Sequence, residues 1–276
     1  MKFKIYRQHG ALNSEPIFNA VETGLRRLGH EIVDNNEDIP VIWSVLWQGR
    51  MQDNKQIYHA ARKKNKPVLI VEIGTLKRNV TWKLCLNNIN NLGVFANNSN
   101  LNYNRPSRLG LQLKDHVYKR RGEILVALQH TKSLQWEGQP AMQKWAYQQI
   151  QEIRKWSDRP VIIRPHPRCP ITIPNVKVER PTKLKNSYDD YDMNYNYHCI
   201  VNFCSGPGIL GAIHGTPVIV SDHSLAYPVT QHYSNIESSD FRSPQRDDWF
   251  VKLCHTEWLV SEIENGTALE QLLLDI

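Results

Sequence analysis

The sequence predicts an α/β protein of two consecutive lobes, each built on a parallel sheet, with a helical C-terminal tail. Three observations carry that prediction. The 276 residues are more than one small core needs and suit two lobes of about 100–150 residues each. The strand-like segments, such as 40–47 and 67–71, are apolar runs rather than alternating ones, the pattern of strands buried on both faces. Segments with helical spacing separate them, so strand and helix alternate along the chain.

The first lobe opens with a strand over 2–7 and a tight loop at Gln8-His9-Gly10. Ser14 and Pro16 then mark a helix start, and Ile17, Val21, Leu25 and Leu28 form its apolar stripe up to Gly29. A short strand at 31–33, the run 40–47, a helix over about 54–64 and the run 67–71 with its end at Glu72-Ile73-Gly74 complete the unit. Asparagine-rich loops fill 87–104 around a short apolar piece at 92–95, and the lobe boundary is expected at about 118–122. The second lobe restarts with strands at 123–128 and 160–164 around a helix over about 139–155. A short piece at 176–178, a strand at 198–203, a small-residue helix through His214 and a strand at 215–220 follow, and 247–274 reads as helical.

Composition is that of a globular protein, with 41% hydrophobic and 22% charged residues. No stretch reaches the roughly 18–20 uncharged apolar residues of a membrane span, and the first residues read as a strand rather than a secretory signal, so a cytoplasmic location is expected. The five cysteines (Cys85, Cys169, Cys199, Cys204 and Cys254) form no CxxC pair and read as reduced, mostly buried thiols. The net charge of +7 is uneven: residues 1–121 hold 20 Lys+Arg against 9 Asp+Glu, whereas 122–276 hold 14 against 18. The basic end includes Lys119, Arg120 and Arg121. Such a field can attract a polyanion such as DNA, or can serve solubility alone.

In open α/β sheets, ligands sit beyond the carboxyl ends of the strands. His9, Trp47, Glu72, His130, His166, Ser205 and Asp222 all occupy such ends, and a cleft between the lobes is expected to gather them. Arg164-Pro165-His166-Pro167-Arg168 follows a buried strand. Its prolines hold the backbone extended, so a histidine and two arginines are presented stiffly, and these side chains bind phosphate. A proline-stiffened turn with solvated arginines is the plainer reading. Asn202-Phe203-Cys204-Ser205-Gly206-Pro207-Gly208 is a strand, a turn and a helix start, an anion site by virtue of unpaired N–H groups and the helix dipole. Ser205 adds a hydroxyl, while Gly206 and Gly208 admit a phosphate to the backbone. His130 could approach the same group, and Asp222 could bind sugar hydroxyls or cap a turn. Asp189, Asp190 and Asp192 mimic a metal-binding DxD only superficially, and no essential metal is expected.

The order of His-Pro strand end, Ser-Gly turn and Gly215-Thr216-Pro217-Val218-Ile219 resembles the donor-binding lobe of GT-B glycosyltransferases over about residues 160–222. The resemblance implies two Rossmann-like lobes, a nucleotide-sugar co-substrate such as a UDP-sugar, and donor-phosphate contacts at His166 and Ser205. Residues 1–120 would then bind the acceptor and 121–276 the donor. The segments WSVLWQGR, VLIVEIGTLKR and WKLCLNNIN, with the tail DDWFVKLCHTEWLVSEIENG, resemble phage glycosyltransferases of the T-even type, which modify 5-hydroxymethylcytosine in DNA. That implies a double-stranded DNA acceptor with a flipped base, and a monomer acting in the host cytoplasm.

Sugar transfer to a hydroxyl needs a base for the acceptor proton. Glu72 is the first choice and His9 the second; Asp53 reads as the cap of the following helix. For a DNA acceptor, Trp47 would stack the base while Arg50, Lys77, Arg78 and Lys83 grip phosphates, although a tryptophan in an apolar run is commonly core. Two other readings stay open: a transferase acting on a surface glycan or small acceptor, and a nucleic-acid-binding module without catalysis.

Overall fold

The computed structural model describes residues 1–97, 100–116, 122–179, 184–185, 190–191, 195–238, 241 and 244–274, with backbone only at 184, 185, 190 and 191. The expected lobe boundary at 118–122, the charges of Lys119, Arg120 and Arg121, and the carboxylates of Asp189, Asp190 and Asp192 lie outside the described residues or side chains.

The chain opens with β1 (Lys2–Ile5), α1 (Glu15–Arg27), β2 (Glu31–Ile32), β3 (Ile39–Trp43), α2 (Asn54–Lys63), β4 (Leu69–Ile73), β5 (Thr81–Leu86) and α3 (Arg105–Arg108). A second series runs through β6 (Ile124–Ala127), α4 (Met142–Arg154), β7 (Val161–Arg164), β8 (Lys177–Val178), β9 (Leu184–Lys185) and β10 (Asp190–Tyr191). It continues with β11 (Cys199–Asn202), α5 (Gly206–Ile213) and β12 (Val218–Val220). The end adds α6 (Asp247–Cys254), β13 (Glu257–Leu259), α7 (Val260–Glu264) and α8 (Thr267–Leu273). Among the described residues no helix is long and apolar enough to cross a membrane.

Two compact units result. The first comprises Met1–Leu109, Lys132–Gln135 and Val251–Ile276; the second comprises Gly110–Thr131 and Trp136–Phe250. In the first unit a six-stranded sheet has the order β13-β5-β4-β3-β1-β2. Strands β1 to β4 are parallel; β3 and the first three residues of β4 are buried, as their unbroken apolar runs predict, whereas β1 and β2, nearer the edge, are only partly so. Phe18, Trp43 and Trp82 pack ring against ring at its centre, with centroids 5.6–5.7 Å apart.

The chain's end belongs to this first unit, not to the second as its place in the sequence implies. Within the expected helical tail, β13 is a strand that pairs antiparallel with β5, Trp258 opposite Trp82. Strand β5 itself pairs antiparallel with β4, in a stretch whose pattern predicts no strand beside the asparagine-rich loops. Arg105 explains the attachment. Its buried guanidinium takes both carboxylate oxygens of Glu262 at 2.7 and 3.0 Å, donates to the carbonyls of Cys254 and Glu257, and lies 4.1 Å from the centre of the Trp258 ring. Helix α7 packs so closely on α1 that a Cβ at Gly24 would sit 2.2 Å from the Ile263 carbonyl.

The second unit is a five-stranded sheet, all parallel, in the order β12-β11-β6-β7-β8. Trp136, Trp145 and Phe203 form an edge-to-face cluster beside it. A Cβ at Gly208 would lie 2.9 Å from Val220 Cγ1 and 3.0 Å from Asn202 Oδ1. Gly208 is therefore needed to seat α5 on the sheet, a packing role beside its expected one as a phosphate contact.

Candidate functional site

In the second unit the chain passes from β6 to β7 on one side and returns to β11 on the other, so β6 and β11 flank the point where strand order reverses. Ligands of such sheets bind at that point. Three segments meet there: Gln129-His130 after β6, Pro165-His166 after β7 and Cys204-Ser205 after β11. The bond from the Leu128 N–H to the Arg164 carbonyl, 2.9 Å, prolongs the β6–β7 pairing to the base of both histidine loops.

Asn202, the buried last residue of β11, fixes this corner. Its Nδ2 donates to the Ala127 carbonyl at 2.8 Å and to Ser205 Oγ at 2.9 Å, while its Oδ1 accepts the Ser205 N–H at 2.9 Å. Ser205 is extended at the start of α5, and its side chain caps no helical N–H. The hydroxyl proton and the Gly206 N–H are thus aligned with a helix N-terminus where anions are stabilised. Gln129, 4% exposed, uses its Oε1 to accept from the Cys204 N–H and thiol, and its Nε2 has no hydrogen-bond partner among the described residues. A buried amide donor left unspent costs stability unless something completes it.

His166 is half-buried. Its Nδ1 accepts the Arg168 N–H at 3.2 Å, which assigns the neutral ring's proton to Nε2 and makes that atom a donor. The ring of buried His130 stands edge-on to it, with centroids 5.0 Å apart. Arg164 is 3% exposed; its Nη2 is committed to Glu179 at 2.8 Å and to the Tyr197 hydroxyl at 2.9 Å, while its Nε and Nη1 have no hydrogen-bond partner among the described residues. Arg168 is exposed, Gly206 is the first residue of α5, and Asp222 follows the edge strand β12, exposed and 3.9 Å from its neighbour His223.

The first unit has the same kind of reversal between β1 and β3. Asn54, fully buried, bridges the two tips by donating to the His9 carbonyl at 3.2 Å and the Trp43 carbonyl at 2.7 Å. Asp53 makes no helix-capping bond; its carboxylate lies 3.5 Å from His9 Nδ1 instead. The Tyr6 ring stacks on His9. Burial, with the charge and hydrogen bond of Glu37, pushes the Tyr6 hydroxyl up to about 12, so it stays protonated beside the histidine. At the end of β3, Ser44 holds a φ of +62°, a strained value for a residue with a side chain. Its hydroxyl donates to Glu72 Oε2 at 2.6 Å, and Glu72 Oε1 accepts the Ile73 N–H at 2.9 Å. The Glu72 carboxylate is held in one orientation at the strand tip. Burial pushes the nearby Cys85 thiol up; the Lys83 charge opposes that rise and the Glu72 charge adds to it.

The expected DNA grip is not assembled on the surface. Trp47 is 7% exposed and packs against Tyr58 and His59. Lys83 is 5% exposed, opposite Glu72 on β4 and Glu257 on β13. Lys77 spends its ammonium on the Leu109 carbonyl at 2.9 Å. Arg50 is exposed and Arg78 half-buried, on separate turns. Trp47 and Lys83 are core residues because an apolar strand run and a mixed-sheet edge enclose them, which local charge patterning does not reveal. Sequence reading also passes over Asn202, Asn54, Gln129 and Ser44. An asparagine three residues before a Ser-Gly helix start is the available signal for the first.

No family model matches the chain, and no curated protein matches it in sequence. Among solved structures, the beta Kdo 2,4 transferase of Thermosulfurimonas dismutans KpsC is similar over 92% of this chain and 90% of its own, at 11% identity and a TM-score of 0.53. The beta Kdo 2,7 transferase of the same KpsC is similar over 97% of this chain and 99% of its own, at 10% identity and a TM-score of 0.50. At these identities the likeness is one of fold, and it extends over both units: the chain has the GT-B-like α/β architecture that its motifs resemble.

Proposed function

We propose that the chain is a glycosyltransferase that takes a sugar from a nucleotide-sugar donor and joins it to a hydroxyl of a glycan acceptor. The observation that carries the donor half is the convergence of the β6, β7 and β11 tips, where Asn202 holds Ser205 at a helix start beside the unspent Gln129 amide. His166 Nε2, Ser205 Oγ and the Gly206 N–H would hold the nucleotide phosphate, stabilising the charge that grows as the sugar leaves. No metal is needed for that step in this reading.

Glu72, oriented by Ser44, would take the acceptor proton; His9, oriented by Asp53, is the competing base. The glycan acceptor is supported by the similarity to two Kdo transferases and by the burial of Trp47 and Lys83. The basic charge of residues 1–121 favours a second reading, transfer to hydroxymethylated DNA.

The test is a panel of UDP- and CMP-linked sugars titrated into the protein, then offered with glycan fragments or hydroxymethylated duplex and analysed by mass spectrometry. Saturable binding of one donor and an adduct on a glycan support the proposal. An adduct on DNA moves the acceptor to the second reading, and no binding of any nucleotide sugar removes the donor site.

A further inference from the structure

His166 and Cys169 lie at the first and last positions of a tight turn closed by the Cys169 N–H on the His166 carbonyl at 2.9 Å, with Pro167 second in the turn. His-x-x-Cys on such a turn has the two-residue spacing from which zinc sites draw paired ligands. His130 arrives from the neighbouring strand tip. One ligand atom from each of His130, His166 and Cys169 lies within 4.8 Å of the other two. We propose that these three side chains form a binding site for a thiophilic divalent transition ion, Zn2+ foremost, with the fourth position left open.

The chemistry of the set selects the ion. Two imidazoles and one thiolate suit Zn2+ and its neighbours, whereas Mg2+ and Ca2+ require oxygen ligands. A tetrahedral zinc centre sets ligand atoms roughly 3.3–3.6 Å apart, so no pair of the trio need close by more than about 1.5 Å, within reach of side-chain rotations. Cys169 and His166 can make them, because both are half-buried on a loop rather than locked in the core. Cys169 differs in this from Cys85, Cys199, Cys204 and Cys254, all buried. Thr131 Oγ1 lies 3.8 Å from the Cys169 sulfur, placed to donate to a thiolate. Ligation through either nitrogen of His166 puts the proton on the other, so the long Arg168 N–H contact at Nδ1 is given up, a small loss beside three metal–ligand bonds. Each ion bound displaces the thiol proton to solvent.

This site shares His166 with the donor reading but does not rest on it: ligation through Nδ1 leaves the Nε2–H for a phosphate, and the other two ligands, His130 and Cys169, take no part in that reading. Co2+ is the probe: titrated into the reduced, chelator-treated full chain, it should give tetrahedral d–d bands and a thiolate-to-cobalt charge-transfer band that one equivalent of Zn2+ abolishes. Cys169→Ser should remove the charge-transfer band, and both it and His130→Ala should weaken binding by at least about tenfold while near-ultraviolet circular dichroism stays native. No thiolate band in the wild type, or equal Co2+ affinity in the wild type and both variants, overturns the proposal. Should either variant misfold, alkylation of the half-exposed Cys169 in the wild type decides between the same two outcomes: Zn2+ must protect it, and unprotected alkylation contradicts the site. Loss of nucleotide binding with the cobalt spectrum intact would sink only the donor reading.

Discussion

Asn202 and Asn54 perform the same task in the two units. Each is buried at a reversal point and uses its side-chain amide to tie together two neighbouring strand tips. Asn202 makes three such bonds, and a typical one contributes about 1 kcal/mol net. Asn202→Ala is therefore expected to lower stability by about 2–3 kcal/mol in denaturant melts and to weaken nucleotide-sugar binding, because Ser205 loses its orientation. Hydrogen bonds to a charged ligand contribute about 1.5–3 kcal/mol, so His166→Ala should weaken donor binding by roughly 10- to 100-fold with an unchanged melting temperature. Glu72→Gln should abolish turnover while donor affinity is retained. If Glu72→Gln turns over normally and His9→Ala does not, the base is the His9–Asp53 pair. At this scale the sequence discloses chemistry better than surroundings. The places of His166 and Ser205 beyond strand ends are legible because their neighbours are prolines and glycines. The burial of Arg164 and Lys83 is not legible, because a charge letter does not say whether a partner such as Glu179 waits inside the fold.

At the level of elements, most boundaries are legible within two residues, since buried parallel strands and amphipathic helices carry strong local patterns. Strand β13 is an exception. It lies inside a segment with helical composition, and it is a strand because β5, far earlier in the chain, offers an open edge. No local window contains that information. The Arg105–Glu262 pair that holds the returning segment is equally non-local. Burial alone would raise the Glu262 carboxyl; the Arg105 hydrogen bonds and charge, with the Leu259 N–H, outweigh it and hold the group below its ordinary value. A carboxylate depressed on folding contributes stability that is complete above its unfolded value, near 4.5, and is lost as pH falls through the folded value. Thermal melts should therefore drop in acid below about pH 4.5, and less steeply in Arg105→Leu. At neutral pH that variant should be destabilised by about 3–5 kcal/mol, because a buried carboxylate is left without its partner. A neutral melt within about 1 kcal/mol of wild type would show that the pair holds nothing.

For the whole molecule, the two units repeat one plan: parallel central strands, a reversal of strand order and an asparagine bridge at the reversal. The positive charge is larger on the first unit, with 18 Lys+Arg against 13 Asp+Glu, and smaller on the second, with 16 against 14. If that charge serves a DNA acceptor, log affinity for duplex should fall steeply with log salt, with a slope set by the phosphates neutralised. The glycan account expects only weak, sequence-blind DNA binding and no sugar on hydroxymethylated duplex. The donor site is the claim on which both acceptor readings depend. Its most direct measurement is calorimetric titration of the preferred nucleotide sugar into the wild type, His166→Ala and Ser205→Ala. Saturable binding that weakens in both variants is the predicted result, and equal affinity in all three proteins would place the donor elsewhere and contradict the account.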